Sequence, residues 1–245
     1  QDSPNKEPDE KFCHGEDPMP FGYEINDLAK EESWRMFRII GELVEGFDKL
    51  SGMGPAVTIY GSARIQLDDQ LYVQTQEITR RLGELGFSII TGGGPGVMEA
   101  ANRGALEAGV TSVGLNIELP EEQVCNPYST KTITFSHFFV RKVMLVKYAI
   151  AFIIMPGGLG TLDELTEVLT LMQTHKIRPF PVILFNSEFW NGFLAWLKGS
   201  ALVRGFISEE DFDHLRVFDH PDEVVEAVHR WYIKQEVVGR KALPR

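Results

Sequence analysis

The chain has 245 residues, 43% of them hydrophobic, enough for the core of one large α/β domain or two small ones. Its 24 basic and 35 acidic residues leave a formal charge of −11, which argues against non-specific binding to nucleic acid or to an anionic membrane, though not against a local pocket for a small anion. Cys13 and Cys125 lie far apart and give no sign of a disulfide framework or a zinc site. No apolar run nears the roughly 20 residues of a membrane span, and the acidic N-terminus is unlike a signal peptide, so a cytoplasmic protein is expected.

Residues 1–26 carry four prolines among acids and lysines with little periodicity, the composition of a mobile acidic tail. Residues 27–245 read as a single domain. Its first element is a long amphipathic helix over 27–50, stopped by Ser51-Gly52-Met53-Gly54-Pro55. Strand and helix then alternate. Strands are predicted at 56–60, 87–91, 111–117, 132–135, 150–155, 181–185 and 216–218. Helices are predicted at 68–85, 96–108, 138–149, 161–175, across the aromatic segment from Phe189 to Leu197, and from Pro221 to about Lys234. Apolar strands separated by helices imply a Rossmann-like, doubly wound, mainly parallel sheet of about seven strands flanked by helices, with ligands at the carboxyl ends of the strands.

The glycine-rich corners all fall at such ends: Gly61-Ser62-Ala63-Arg64, Thr91-Gly92-Gly93-Gly94-Pro95-Gly96, and Met155-Pro156-Gly157-Gly158-Leu159-Gly160-Thr161. A strand, a glycine turn and a helix start make a phosphate cradle of backbone N–H groups at the positive end of a helix dipole. Neither a P-loop nor a dinucleotide fingerprint fits, because no lysine follows the glycines and Asp163 stands where GxGxxG requires its last glycine. Glu164 has two readings. Thr161-x-x-Glu164 matches a capping box, in which the carboxylate reaches back to the helix start; alternatively it faces a ligand bound at the strand ends. Glu99, in the first turn after the triple glycine, is either a dipole-favoured surface acid or a partner for ribose hydroxyls. Arg141 and Lys142 interrupt an apolar helix, and at least one of them is expected to face the site, where an arginine fork suits a phosphate or a glutamate. The six histidines show no metal spacing, and no serine sits in a GxSxG elbow.

Pro156-Gly157-Gly158-x-Gly160-Thr161-x-x-Glu164 resembles the PGGxGTxxE signature of the LOG (Lonely Guy) family, long mislabelled as lysine decarboxylases. Arg141-Lys142, at its offset from Glu164, is similar to that family's RK element, and Gly92 to Ala100 to its first glycine loop in longer bacterial members. The resemblance covers about residues 55–235. It implies hydrolysis of the N-glycosidic bond of a purine nucleoside 5′-monophosphate, either AMP or an N6-substituted cytokinin riboside monophosphate, to free base and ribose 5-phosphate. On that resemblance Arg141 and Glu164 are the catalytic pair, and Gly157, Gly158, Gly160 and Thr161 hold the phosphate. Glu99 contacts the sugar, and Ser62, Gly93, Gly94, Met98 and Lys142 complete the substrate-binding set. Arg141 is expected to orient Glu164 and keep it ionised. No metal or organic cofactor is implied, nor any nucleic acid or membrane partner. The family further implies a homodimer or larger assembly with the site near an interface, although the first helix and the tail depart from the shortest members. The rival reading is a non-catalytic nucleotide or molybdenum-cofactor carrier on the same scaffold, which needs the glycine turns but not the Arg141/Glu164 pair.

Overall fold

The computed structural model of the chain describes residues 32–119 and 125–241. The expected mobile tail and the first residues of the predicted 27–50 helix lie outside them. Helix α1 (Glu32–Leu50) precedes β1 (Ala56–Tyr60), α2 (Gln70–Glu84), β2 (Ser88–Thr91), α3 (Val97–Glu107) and β3 (Ser112–Ile117). Then come β4 (Lys131–Phe135), α4 (Phe138–Lys147), β5 (Ala149–Ile154) and α5 (Leu159–Gln173). The chain closes with β6 (Val182–Phe185), α6 (Ser187–Trp196), β7 (Leu215–Phe218) and α7 (Pro221–Lys241). All seven strands form one sheet in the order β4-β3-β2-β1-β5-β6-β7, every pairing parallel.

The sheet is covered as its sequence demands. Strands β1, β2, β3 and β6 are buried at every residue, because helices pack on both faces. One core layer sets Met144, Leu145, Leu165, Val168 and Trp190 of α4, α5 and α6 against the sheet. The opposite layer uses Ile78 and Leu82 of α2, Ala101 and Ala105 of α3, and Val224 and Val228 of α7. Helix α1 lies on α4. Its Glu42 carboxylate accepts from the backbone N–H groups of Ser136 and His137 and meets His137 Nδ1 at 2.9 Å, so an acid from one helix caps the start of the other.

The described residues between β3 and β4 contain no helix, as the absence of a helical pattern between the predicted strands at 111–117 and 132–135 implies. The structure departs from the expected elements in one place. Between α6 and β7 a π-helical turn (Leu197–Leu202) and a short 3-10 turn (Glu209–Phe212) appear, both too short to leave a periodic signal. Cys125 is buried and disulfide-bonded, against the expectation from cysteine spacing, since separation along the chain does not report distance across a fold. Among the described residues no helix is long and apolar enough to cross a membrane.

Candidate active site

From β1 the chain steps outward through β2, β3 and β4, then returns through α4 to β5, on the other side of β1, and continues through β6 to β7. Connections therefore leave β1 and β5 in opposite directions, and a crevice opens beyond their carboxyl ends. The three glycine corners follow β1, β2 and β5, which are neighbours in the sheet. They are also bonded to one another. Ser62 N–H donates to the Pro156 carbonyl at 3.0 Å, and Ser62 C=O accepts from Val97 N–H at 2.9 Å. One residue of the first corner thus pins the other two, and all three meet at the carboxyl ends of their strands.

That pinning fixes Gly96. It caps α3 with φ +68°, and a Cβ there would stand 2.5 Å from the Ser62 carbonyl oxygen. Gly96→Ala is expected to cost about 2 kcal/mol or more in chemical denaturation, since both the backbone conformation and a rigid backbone contact oppose the methyl group. Wild-type stability in that variant would show that the corners are not joined this way.

The corners have different work to do. The one after β2 is buried and already bonded: Gly93 N–H donates to Thr91 Oγ1 at 2.9 Å, while Asn126 donates its backbone N–H to Gly93 C=O and its Nδ2 to Gly94 C=O, each at 3.0 Å. Asn126 is steadied in turn by Asn102 Oδ1 at 3.0 Å. Gly93 and Gly94 therefore form a rigid wall. The corner after β5 is open. Gly158 is the N-cap of α5 and no side chain caps that end. Gly158, Leu159 and Gly160 are exposed, and nothing lies within 4 Å of where a Cβ would stand at Gly158 or Gly160. The first N–H groups of α5 thus face open space, which suits an anion. At Gly157 the space for a Cβ is filled by the Thr161 hydroxyl.

The capping-box reading of Glu164 does not hold. Because α5 starts at Leu159, Thr161 lies inside its first turn and Glu164 in its second, beyond reach of the N-cap. Glu164 instead meets Arg141 of α4, Oε1 to Nη2 at 3.6 Å, with the two side chains 16% and 11% exposed. That separation makes an ion pair without a hydrogen bond. Arg141 Nη1 donates to the Leu115 carbonyl of β3 at 3.4 Å, and the guanidinium lies 5.5 Å from the Phe138 ring. A Cβ on Gly92 would stand 3.0 Å from Nη1 and 2.8 Å from Met98 Sδ. Arg141 therefore bridges the buried wall and the open corner, and its Nε–H is buried without a partner.

Burial dominates the electrostatics of this pair. It pushes the Glu164 carboxyl up to about 7; Arg141 pulls the other way, Asp163 and Glu167 add to the rise, and Lys142 opposes it. The expectation that Arg141 keeps Glu164 ionised is corrected: the cation offsets only part of the desolvation. Burial likewise lowers Arg141, against the pull of Glu164. Tyr60, the last residue of β1, is held well above 10 by burial and then by the charges of Glu164 and Glu167, so it stays a neutral phenol.

Ser62, Met98, Arg141, Glu164 and Gly157 to Thr161 are thus gathered where the sequence places them. Lys142 has protein partners, Asp163 at 2.7 Å and Glu167 at 3.7 Å, and ties α4 to α5. Burial acts to lower its ammonium, but the carboxylates outweigh it and raise it. Glu99 accepts from Tyr72 Oη of α2 at 3.0 Å. Sequence reasoning missed Tyr60, Phe138 and Asn126. Two of these sit in apolar runs that read as core, and the third in a loop without periodicity.

Residues 98–228 match a family described as possible lysine decarboxylase. Over 138 residues the chain is 33% identical to the cytokinin riboside 5′-monophosphate phosphoribohydrolase LOG of Oryza sativa subsp. japonica, a match spanning 55% of this chain and only 56% of that protein. It is 28% identical over 156 residues to the cytokinin riboside 5′-monophosphate phosphoribohydrolase of Mycobacterium tuberculosis, covering 62% of this chain and 81% of that one. Among solved structures, a molybdenum cofactor binding protein from Rippkaea orientalis superposes with a TM-score of 0.57 at 19% identity, over 74% of this chain and 99% of the other, a likeness of fold. The family match takes in α4, α5 and the Arg141–Glu164 pair as well as more than half of the residues, and the chain belongs to that family.

Proposed function

We propose that this chain hydrolyses the N-glycosidic bond of a purine nucleoside 5′-monophosphate, AMP or an N6-substituted adenosine monophosphate, releasing free base and ribose 5-phosphate. The observation that carries the reading is the Glu164 carboxyl, held near neutrality beside Arg141 and one helical turn from an uncapped, exposed helix start. The 5′-phosphate accepts from the N–H groups at the start of α5, and binding there sets the ribose against Glu164. As the C1′–N bond breaks, positive charge builds on the sugar and negative charge on the departing base. Ionised Glu164 stabilises that sugar and takes a proton from the attacking water. The water oxygen bonds to C1′ as the C1′–N bond breaks, the bonding pair leaves with the base nitrogen, and the proton taken up by Glu164 is returned to the base, which regenerates the carboxylate. A carboxyl that titrates near 7 is matched to this task, because it can both accept and return a proton at neutral pH. Arg141 orients it.

Lysine decarboxylation fits the site poorly. Lys142, the lysine beside Arg141, has its ammonium stabilised by Asp163, Glu167 and Glu164, the reverse of what an amine nucleophile needs. The test is to incubate the full chain separately with AMP, GMP and isopentenyladenosine monophosphate and to follow free base by chromatography. Release of adenine or isopentenyladenine with equimolar ribose 5-phosphate is expected. Tight nucleotide binding with no base released from any of the three would replace the enzyme with a carrier.

A further inference from the structure

The three glycine corners carry one charged side chain between them, Arg64. It stands in the middle corner, since β1 lies between β2 and β5 in the sheet. Its backbone is fixed. Arg64 N–H donates to Ser62 Oγ at 3.1 Å, and its carbonyl accepts from Gln66 Nε2 at 3.2 Å. The start of α3 packs against the preceding residue, where a Cβ on Gly96 would stand 2.8 Å from the Ala63 carbonyl carbon. The residue itself is exposed, and among the described residues no carboxylate pairs with it, in a chain of 35 acids and 24 bases. A fixed stem that ends in an unengaged guanidinium suits an anion brought from outside.

The charges at the site leave room for that cation. A phosphate monoester carries about −1.5 to −2 at pH 7, whereas the open start of α5 offers roughly half a positive charge. The two cations nearby are engaged, Arg141 with Glu164 at 3.6 Å, and Lys142 with Asp163 at 2.7 Å and Glu167 at 3.7 Å. About one negative charge or more on a bound phosphate is therefore unmet, and ionised Glu164 adds to the deficit. Arg64 is within reach. Ser62 N–H is bonded to the Pro156 carbonyl, two residues ahead of the α5 N-cap at Gly158. Arg64 follows two residues after Ser62, and an extended arginine spans about 7 Å from Cα to guanidinium, six bonds in a zigzag.

We propose that Arg64 determines specificity for the 5′-phosphate, its guanidinium binding that group opposite the N–H groups of α5. This rests on the reading of the α5 start as the phosphate seat, and it names the residue that separates nucleotides from nucleosides. A planar fork binds a phosphate bidentately and gains most from a full anionic charge. The phosphate lies away from the C1′–N bond, so Arg64 acts on binding and placement and leaves the chemistry to Glu164.

Calorimetry with two probes tests this. Formycin 5′-monophosphate resembles AMP but has carbon in place of the glycosidic nitrogen, so it binds without being cleaved; formycin is the same molecule without the phosphate. In the full chain, Arg64→Ala should raise the Kd of the monophosphate about 30-fold and leave that of formycin within about twofold. Arg64→Lys keeps the charge and loses the fork, so it should bind the monophosphate about fivefold more weakly than the parent. The kcat/KM for AMP should fall by the same factors. Melting without ligand should be unchanged in both variants, because the residue is exposed. Parental affinity for the monophosphate in Arg64→Ala overturns the proposal, as does an equal loss for both probes. So does a parent chain that binds the two probes alike. Probe binding is read without base release, so a chain that frees no base from AMP would defeat the hydrolase reading and leave the Arg64 difference standing.

Discussion

Glu164→Gln should release adenine from AMP about 1,000-fold more slowly than the parent chain, with KM within about threefold. The substitution keeps size and shape but removes the group that meets sugar charge and accepts the proton, an effect in the general acid–base range of about 100- to 10,000-fold. The uncapped start of α5, where the phosphate is proposed to bind, is untouched, so binding is expected to persist. A variant with near-parental kcat would remove Glu164 from the reaction. The same substitution has a signature in stability. The folded carboxyl is raised to about 7, from an ordinary value of 4.5. Native protein therefore binds the proton more tightly than unfolded chain, and the stabilisation this confers is complete below about 4.5 and lost as pH rises through about 7. Relative to the parent, Glu164→Gln should thus gain stability between pH 5 and 8, by up to about 3 kcal/mol, in paired denaturant titrations. A difference that stays flat across that window would mean that Glu164 is not desolvated.

Arg141→Ala acts through the same carboxyl and in the opposite sense. Arg141 is the main influence holding Glu164 down against burial. Without it, the acidic limb of the kcat/KM profile should move alkaline by at least one pH unit, and activity at pH 7 should fall about 100-fold or more as orientation is lost too. Arg141→Lys restores the charge but not the fork that spans the Leu115 carbonyl and Glu164, so it should recover the pH limb better than the maximal rate. An unshifted limb in Arg141→Ala would show that the two groups are not coupled.

The sheet was legible because its strands are short apolar runs cut by glycine corners and helical periodicity, signals that are local. The Arg141–Glu164 pair was legible for the same reason: each residue lies in a compact motif. What escaped depends on contacts across the fold. The Ser62 bridge uses backbone groups, which carry no sequence signature. The Asn126 clasp on Gly93 and Gly94 comes from a loop more than 30 positions away. The ionisation of Glu164 was misjudged because a motif shows that a cation is near, not how much water is missing. Thr161-x-x-Glu164 satisfies a capping pattern that the helix ignores by starting two residues earlier.

The reversal of strand order at β1 and β5 also bears on how the molecule forms. Val57 pairs with Ala151 across nearly the whole first half of the domain, and only this ladder brings the Ser62 carbonyl side of the crevice to the Pro156 side. Closing so long a loop is slow, since its entropy must be surrendered before any contact rewards it. Neither wing of the sheet contains a working centre by itself, and regained turnover after dilution from denaturant would time the zipping of β5 onto β1.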